Sequence, residues 1–289
     1  MASYGGVFRA SDVNSTWSSV SSPPYFTVMA ANTTTGRLVA LNGSTTTGYY
    51  SDTSGATWIS TTLPSAAGWS SCAWSPVTGR FVAVGNGGSA GAYSDNGINW
   101  SPMNLPATAT IVGVRPTDGR FVAFFYNGST PYYSNDGINW SAGATLPISA
   151  TWFGVAASAS GVFVAAGGSA IVYSSDGINW SQASGVTFGQ WGAVAYSSGL
   201  NRFVAVAGNN SDNGTALYST NGSSWSSGSL PYSQSWYSVA CSPSGRFFTC
   251  GYPGGSGAGD KAAYSFDGIN WTAVTLPSVQ SYRIVVYKG

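Results

Sequence analysis

Short apolar runs alternate with clusters of Gly, Ser, Asn and Pro from one end of the chain to the other. Runs such as Trp69–Trp74, Arg80–Val84 and Trp152–Ala157 are bounded by turn formers. They carry no helical period, so the pattern predicts strands. Both sides of these runs are apolar, which requires that both faces of each sheet be covered. The parts follow in a fixed order. A loop, often with Leu-Pro as at Leu63-Pro64, Leu105-Pro106 and Leu230-Pro231, leads into a strand of small residues. A turn with Gly-Arg or Asn-Arg follows, at Arg37, Arg80, Arg120, Arg202 and Arg246. Then come an Arg-Phe-Val-Ala-Val strand or a near copy, a variable polar loop, a Tyr-Ser strand, a tight turn and a strand opened by Trp. Each unit thus reads as four strands, A to D.

The tight turn is the most regular part. Tyr133-Ser134-Asn135-Asp136-Gly137-Ile138-Asn139-Trp140 recurs at Tyr93–Trp100, Tyr173–Trp180, Tyr218–Trp225 and Tyr264–Trp271, with looser copies at Tyr50–Trp58 and Ala10–Trp17. Gly takes the positive φ, and the Asp or Asn side chain accepts backbone N–H groups inside the turn. The Asp therefore reads as a turn brace, and Val13, Thr53, Asn96 and Asn221 occupy its position elsewhere. The Arg of the A–B turn reads as a solvated turn residue or a brace to the next unit. A spacing of about 40 residues over the whole chain points to a repeat array or propeller.

The turn resembles the Asp-box, or BNR, repeat of β-propellers, S-x-D-x-G-x-T-W. Residues Ser51 to Trp58 keep that spacing with Thr53 at the Asp position, and the other copies are one residue shorter, as in Ser174 to Trp180. The resemblance covers nearly the whole chain. It implies one all-β domain over residues 1–289, and the count of turns predicts a seven-bladed β-propeller of four-stranded antiparallel blades. The closing blade is expected to be shared by the N- and C-termini, with Tyr282–Tyr287 as its strand A, Gly6–Ser11 as strand C and Trp17 opening strand D. Function is less constrained, since sialidases, glucanases, lectins and plain scaffolds carry such repeats.

Composition narrows the classes. Charged residues are 7% of the chain, His and Glu are absent, and the net charge is +1. Nucleic-acid binding and a polybasic membrane contact are not expected. No apolar run reaches the ~18 residues of a membrane span, and the start, Met1 to Gly6, is not expected to be a signal peptide. Without His and with only Cys72, Cys241 and Cys250, no metal site or cofactor is expected. The odd count argues against a disulfide framework, and the three thiols read as buried small hydrophobes.

A sialidase-like site needs three convergent Arg, a Tyr with a Glu partner and an Asp. Glu is missing, and only Arg9, Arg115 and Arg283 fall outside the turn pattern. A two-carboxylate glycosidase site would have to use Asp212 and Asp260. The chain is therefore expected not to be an enzyme. Binding is the better reading, on the upper face formed by the D–A and B–C loops. Trp69, Trp152, Trp191, Trp236 and Tyr282 at the starts of the A strands are candidates to stack on sugar rings. Asn86, Asn127, Asn209, Asp212 and Asp260, with Asn42, Asn210 and Lys261, are candidates to hold hydroxyls. The same aromatics would equally serve by packing between blades or plugging the channel.

The expected function is a non-catalytic binding or structural propeller that recognises a surface glycan or cell-surface receptor, with no nucleic-acid partner and no membrane insertion. The low charge and the Ser/Thr/Gly/Asn-rich composition resemble phage virion proteins, a tail-associated receptor binder or head decoration alongside other virion proteins. The alternatives are a microbial β-propeller lectin, cytoplasmic or released without a signal peptide, and an Asp-box carbohydrate-active enzyme.

Overall fold

The computed structural model describes residues 8–9, 18–19 and 26–280, except 44, 188, 209–213, 243 and 253–258. Among the described residues every regular element is a strand, and all but the first two strands form six four-stranded antiparallel sheets. The first blade holds β3 (Val28–Ala31), β4 (Leu38–Leu41), β5 (Thr47–Ser51) and β6 (Ile59–Thr62). The second holds β7 (Trp69–Ser75), β8 (Arg80–Gly85), β9 (Ala90–Ser94) and β10 (Ser101–Asn104). The third holds β11 (Ala109–Val114), β12 (Phe121–Phe125), β13 (Tyr132–Ser134) and β14 (Ser141–Ala142). The fourth holds β15 (Trp152–Ala157), β16 (Phe163–Gly167), β17 (Ala170–Ser174) and β18 (Ser181–Gln182). The fifth holds β19 (Trp191–Ser197), β20 (Arg202–Ala207), β21 (Thr215–Ser219) and β22 (Ser226–Ser229). The sixth holds β23 (Ser235–Cys241), β24 (Phe247–Tyr252), β25 (Gly259–Ser265) and β26 (Thr272–Gln280). The molecule is an all-β, six-bladed β-propeller.

The expected seventh blade is not there: the correct number is six. A tight turn specifies a hairpin, and a blade also needs an A and a B strand behind it. The sequence copy at residues 10–17 is flanked by β1 (Phe8–Arg9) and β2 (Ser18–Ser19), which among the described residues pair only with each other as a two-stranded ribbon, Phe8 opposite Ser19. At the other end β26 completes the sixth blade by pairing with β25. The proposed closing strand, Tyr282–Tyr287, lies outside the described residues. Counting turns therefore overcounted blades by one.

Strand B is the centre of each blade. β8, β12, β16 and β20 are buried along nearly their whole length because a neighbouring blade covers each face. Their first Phe packs on the Trp that opens strand D of the same blade, with ring centroids 6.3 Å apart for Phe81–Trp100, 6.5 Å for Phe121–Trp140 and 6.2 Å for Phe163–Trp180. The outer strands β6, β10 and β22 are mostly exposed. The inner strands β3, β7, β11, β15, β19 and β23 lie side by side. Small residues there are a steric requirement: a Cβ on Gly154 would stand 2.7 Å from the Val194 backbone nitrogen of the next blade.

Successive blades are joined at the tight turns. In the third blade, Ser134 Oγ accepts the Gly137 N–H at 2.8 Å, and Asp136 Oδ1 accepts the N–H groups of Ile138 and Asn139, each at 2.8 Å. The expected brace role of this position is thus seen directly. Gly137 has φ 73°, and a Cβ on it would strike Val82 of the second blade at 2.7 Å. Both the turn and its seat on the previous blade therefore demand Gly. Arg80 of the second blade donates from Nη1 to the Asp136 carbonyl at 2.7 Å and from Nε to the Asp95 carboxylate of its own blade at 2.6 Å. Arg37 bridges to the Asn96 carbonyl and Arg120 to that of Asp176 in the same way. Arg202 reaches the Asp267 carbonyl of the sixth blade.

The fourth blade has Val162 where the others have Arg. It fills the seat under Gly222 with its methyl groups instead of a hydrogen bond. The fifth blade keeps the Arg but loses its carboxylate. Thr220 stands where Asp52 and Asp95 stand in the first two blades, and Arg202 Nε is buried with no partner. Replacing Thr220 with Asp is expected to complete the pair and to stabilise the protein at pH 7 by about 0.2–1 kcal/mol. A chemical-denaturation midpoint unchanged or lowered in Thr220→Asp would contradict this.

Candidate functional site

The antiparallel order divides the propeller into two rims. A–B and C–D turns lie on the lower rim, and B–C and D–A loops lie on the upper. The lower rim holds nearly all of the described charge. Arg37 pairs with Asp52, Arg80 with Asp95 and Arg115 with Asp118. Arg115 also donates to the carbonyls of Gly161 and Ser175 in the fourth blade, so it too is a brace between blades. A side-chain hydrogen bond from Arg37 holds the Asp52 carboxyl below its ordinary range, and Arg115 does the same for Asp118.

The turn carboxylates are committed as well. Burial pushes Asp136, Asp176 and Asp267 up, but this is outweighed by hydrogen bonds from the backbone N–H groups two and three residues on and from Asn139, Asn179 and Asn270. Asp176 and Asp267 come down to about 2, and Asp136 lies well below the usual carboxylate range. Such carboxylates are anionic braces at neutral pH.

The upper rim departs from expectation at its most prominent residues. Trp69, Trp152, Trp191 and Trp236 are at most 2% exposed. Each sits between blades. Trp69 packs with Val28, Val39 and Leu41 of the first blade, and Trp152 lies 5.4 Å from Phe124 of the third. Trp191 packs with Val164 and Ala166, and Trp236 with Val204 and Val206. These indoles are inter-blade core in this structure and present no face for a sugar to stack on.

The cause is a register shift. Immediately after each Trp the pairing with strand B slips, between Trp69 and Ser71, Trp152 and Gly154, Trp191 and Ala193, and Trp236 and Ser238. Such a bulge leaves one residue out of the ladder and re-aims it. The residues so released are Ser70, Phe153, Gly192 and Tyr237, with Thr110 at the matching shift in the third blade. Phe153 is 52% exposed and Tyr237 36%. Tyr126, in the B–C loop of the third blade, is 66% exposed. These three aromatics were overlooked in the sequence. The available signal was the doublets Trp152-Phe153 and Trp236-Tyr237: two large rings in a row cannot both enter one seam.

Of the amide candidates, Asn86 and Asn127 are exposed in upper loops. Asn86 folds back onto its own blade, its N–H donating to the Gly68 carbonyl at 3.0 Å. Asn127 reaches across to the fourth blade, its Oδ1 accepting the Thr151 hydroxyl at 2.6 Å. Asn209, Asp212 and Tyr282 lie outside the described residues, and of Asp260 only its place in β25 is described. Lys261 stands 5.6 Å from the Tyr232 ring centroid. Among the described residues no three His, Cys, Asp or Glu side chains gather as metal ligands, and no helix is long and apolar enough to cross a membrane. Cys241 faces Phe247 and Cys250 faces Ser238 in the ladder, so the two thiols are not opposite one another. Burial pushes the Cys250 thiol up to about 12.

No family model and no curated protein matches the chain. Solved structures do. A catalytically inactive histidine-to-alanine form of virginiamycin B lyase from Staphylococcus aureus, with quinupristin, superposes with a TM-score of 0.74 at 8% identity, covering 89% of this chain and 87% of that one. YCF48 from Cyanidioschyzon merolae gives 0.64 at 16% identity, covering 91% and 88%. A GH74 xyloglucanase from Xanthomonas campestris gives 0.67 at 14% identity, covering 88% of this chain and 48% of that one. At such identities the similarity is one of fold.

Two outcomes follow from this geometry. Trp152→Ala should destabilise the protein by about 3–5 kcal/mol, while Phe153→Ala, one residue on, should change stability by no more than about 0.5 kcal/mol. Urea denaturation of the two variants checks the bulge assignment. The turn Asp have folded pKa values below the unfolded value of about 3.9, so their contribution is present above pH ~4 and is lost as pH falls towards 2. Melting temperature is therefore expected to drop between pH 4 and pH 2. The triple variant Asp136→Asn, Asp176→Asn, Asp267→Asn should show a shallower drop, because Asn96 and Asn221 already make the same Oδ1 contacts in their turns.

Proposed function

We propose that the chain is a non-catalytic binding propeller that recognises a neutral surface glycan through its upper rim. The carrying observation is the separation of chemistry between the rims. The carboxylates whose contacts are described, Asp52, Asp95, Asp118, Asp136, Asp176 and Asp267, lie on the lower rim, in pairs with Arg or in turn braces. The upper rim instead carries exposed rings, Tyr126, Phe153 and Tyr237, among Asn, Ser and Thr. A ring face stacks on the C–H face of a sugar, and amides and hydroxyls satisfy its O–H groups.

Acid–base chemistry finds less support. The lyase with similar architecture is described as inactive when a histidine is replaced, and this chain has no histidine. A carboxylate pair of the glycosidase type would have to come from Asp212 and Asp260. The near absence of charge, 7% of residues, suits a protein displayed on a particle such as a phage virion, where Ser, Thr, Gly and Asn supply the polar surface. A free lectin is the second reading, favoured by the differences between blades in their upper loops.

A printed array of neutral and acidic glycans tests the proposal. Binding to neutral members is expected, with loss of signal in a Phe153→Ala, Tyr237→Ala double variant that keeps its melting temperature. A folded protein that binds nothing on the array would end the glycan reading. Release of a chromogenic leaving group from aryl glucosides or sialosides would end the non-catalytic one.

A further inference from the structure

The seam between the third and fourth blades combines features that the other described seams hold singly. Phe124 of β12 packs against Trp152 of β15 and closes the seam from below. Two residues on from Phe124, Tyr126 emerges into solvent; one residue on from Trp152, the bulge releases Phe153 into solvent. The loop that carries Tyr126 is tied to the strand that carries Phe153. The Thr151 hydroxyl donates to Asn127 Oδ1 at 2.6 Å, and Ser149 Oγ donates to the Asn127 carbonyl at 3.1 Å. Asn127 is held at φ 50°, a left-handed conformation uncommon outside glycine. Its Oδ1 is occupied, and its Nδ2 group has no protein acceptor among the described residues.

The sixth blade also releases an aromatic at its bulge, Tyr237, but in the second and fifth blades the same positions are bland. In the second blade the residues matching Tyr126 and Asn127 are Asn86 and Gly87, which lie flat on Ala67 and Gly68, and Ser70 occupies the bulge with its hydroxyl turned back to the Val84 carbonyl. In the fifth blade the bulge residue is Gly192, and a Cβ there would meet the Trp236 carbonyl at 2.9 Å. The two exposed rings at the third–fourth seam are thus local additions to a frame that does not need them.

We propose that Tyr126, Asn127 and Phe153 form a carbohydrate subsite for one neutral pyranose ring, a step that rests on the glycan-binding reading above. The aromatic rings take the apolar face of the sugar, and Asn127 Nδ2 donates to a ring hydroxyl. Neutrality follows from the surroundings. Among the residues whose side chains are described, the cations and carboxylates lie on the lower rim, except Lys261, which with Asp260 belongs to β25 two blades away in the sixth. An acidic sugar would find no counter-charge among the described residues of this seam. A protein partner would call for a contiguous apolar patch, whereas these rings come from two segments joined by a polar Asn–Thr hydrogen bond.

Isothermal titration of the full chain with maltohexaose, cellohexaose, mannohexaose and chitohexaose tests the subsite. At least one is expected to bind. Tyr126→Ala and Phe153→Ala should each raise its Kd by about tenfold or more, with melting temperatures unchanged, and Asn127→Ala should raise it by a smaller factor. Val77→Ala, an exposed residue of the lower rim, should leave it unchanged. Equal affinity in wild type, Tyr126→Ala and Phe153→Ala would overturn the subsite and leave glycan binding elsewhere on the rim intact. No heat with any of the four sugars would overturn the neutral-pyranose assignment, and silence on the glycan array as well would remove the broader reading with it.

Discussion

The structure depends on how each blade grips the tight turn of the next. A lone four-stranded sheet of this composition would expose apolar residues on both faces, so no blade is stable without neighbours. The grip supplies register as well as contact. Gly137 drops onto Val82, Arg80 bonds the Asp136 carbonyl, and the equivalent contacts repeat at Gly97 with Arg37 and at Gly177 with Arg120. Each Arg also stacks on the Tyr that precedes its own turn, 4.9 Å for Arg80 over Tyr93 and 5.0 Å for Arg37 over Tyr50. One guanidinium thus joins two blades and covers an aromatic edge, a task that suits its planar fork and that Lys would perform poorly. Where the fourth blade substitutes Val162, packing on Gly222 keeps the seam without the charge.

That arrangement explains the uneven distribution of chemistry. The lower rim spends its carboxylates and guanidiniums on structure, and the low charge of the chain leaves few for anything else. The upper rim is released from this duty. Its loops close with backbone hydrogen bonds and Gly, as where Gly87 bonds the Ala67 carbonyl, so their side chains are free to differ. The bulges at the starts of strands β7, β11, β15, β19 and β23 add a second freedom. They keep one residue buried in the seam and turn the next outwards, partly exposed at Ser70, Thr110 and Gly192 and exposed at Phe153 and Tyr237. Ser70, Thr110, Phe153, Gly192 and Tyr237 thus occupy matching places, although the tight surroundings of Gly192 exclude a side chain in the fifth blade.

Much of this was legible in the sequence. The strand–turn alternation, the four-strand unit and the Asp brace follow from local pattern, because each is specified within a few residues; the turn Arg read as either solvated or a brace, and only the structure decides for the brace. Strand β15 was bounded correctly at Trp152–Ala157 from its composition alone. The blade count was not legible. Its sequence signal is the turn motif, and the copy at residues 10–17 lies between two strands that pair with each other rather than within a four-stranded blade. Nor was the aromatic face. Trp152 and Phe153 are both large and apolar, and nothing in their order says which one the seam accepts.

The chain by itself therefore determined its class of fold, its repeating unit and the residues that brace each turn, since propensity, φ preference and short-range hydrogen bonds act over a handful of positions. Only the tertiary structure decided how many units become complete blades and which ring of each aromatic doublet meets water. Those outcomes rest on pairing register between strands and on the volume available between neighbouring sheets, and both are set by residues about forty positions apart.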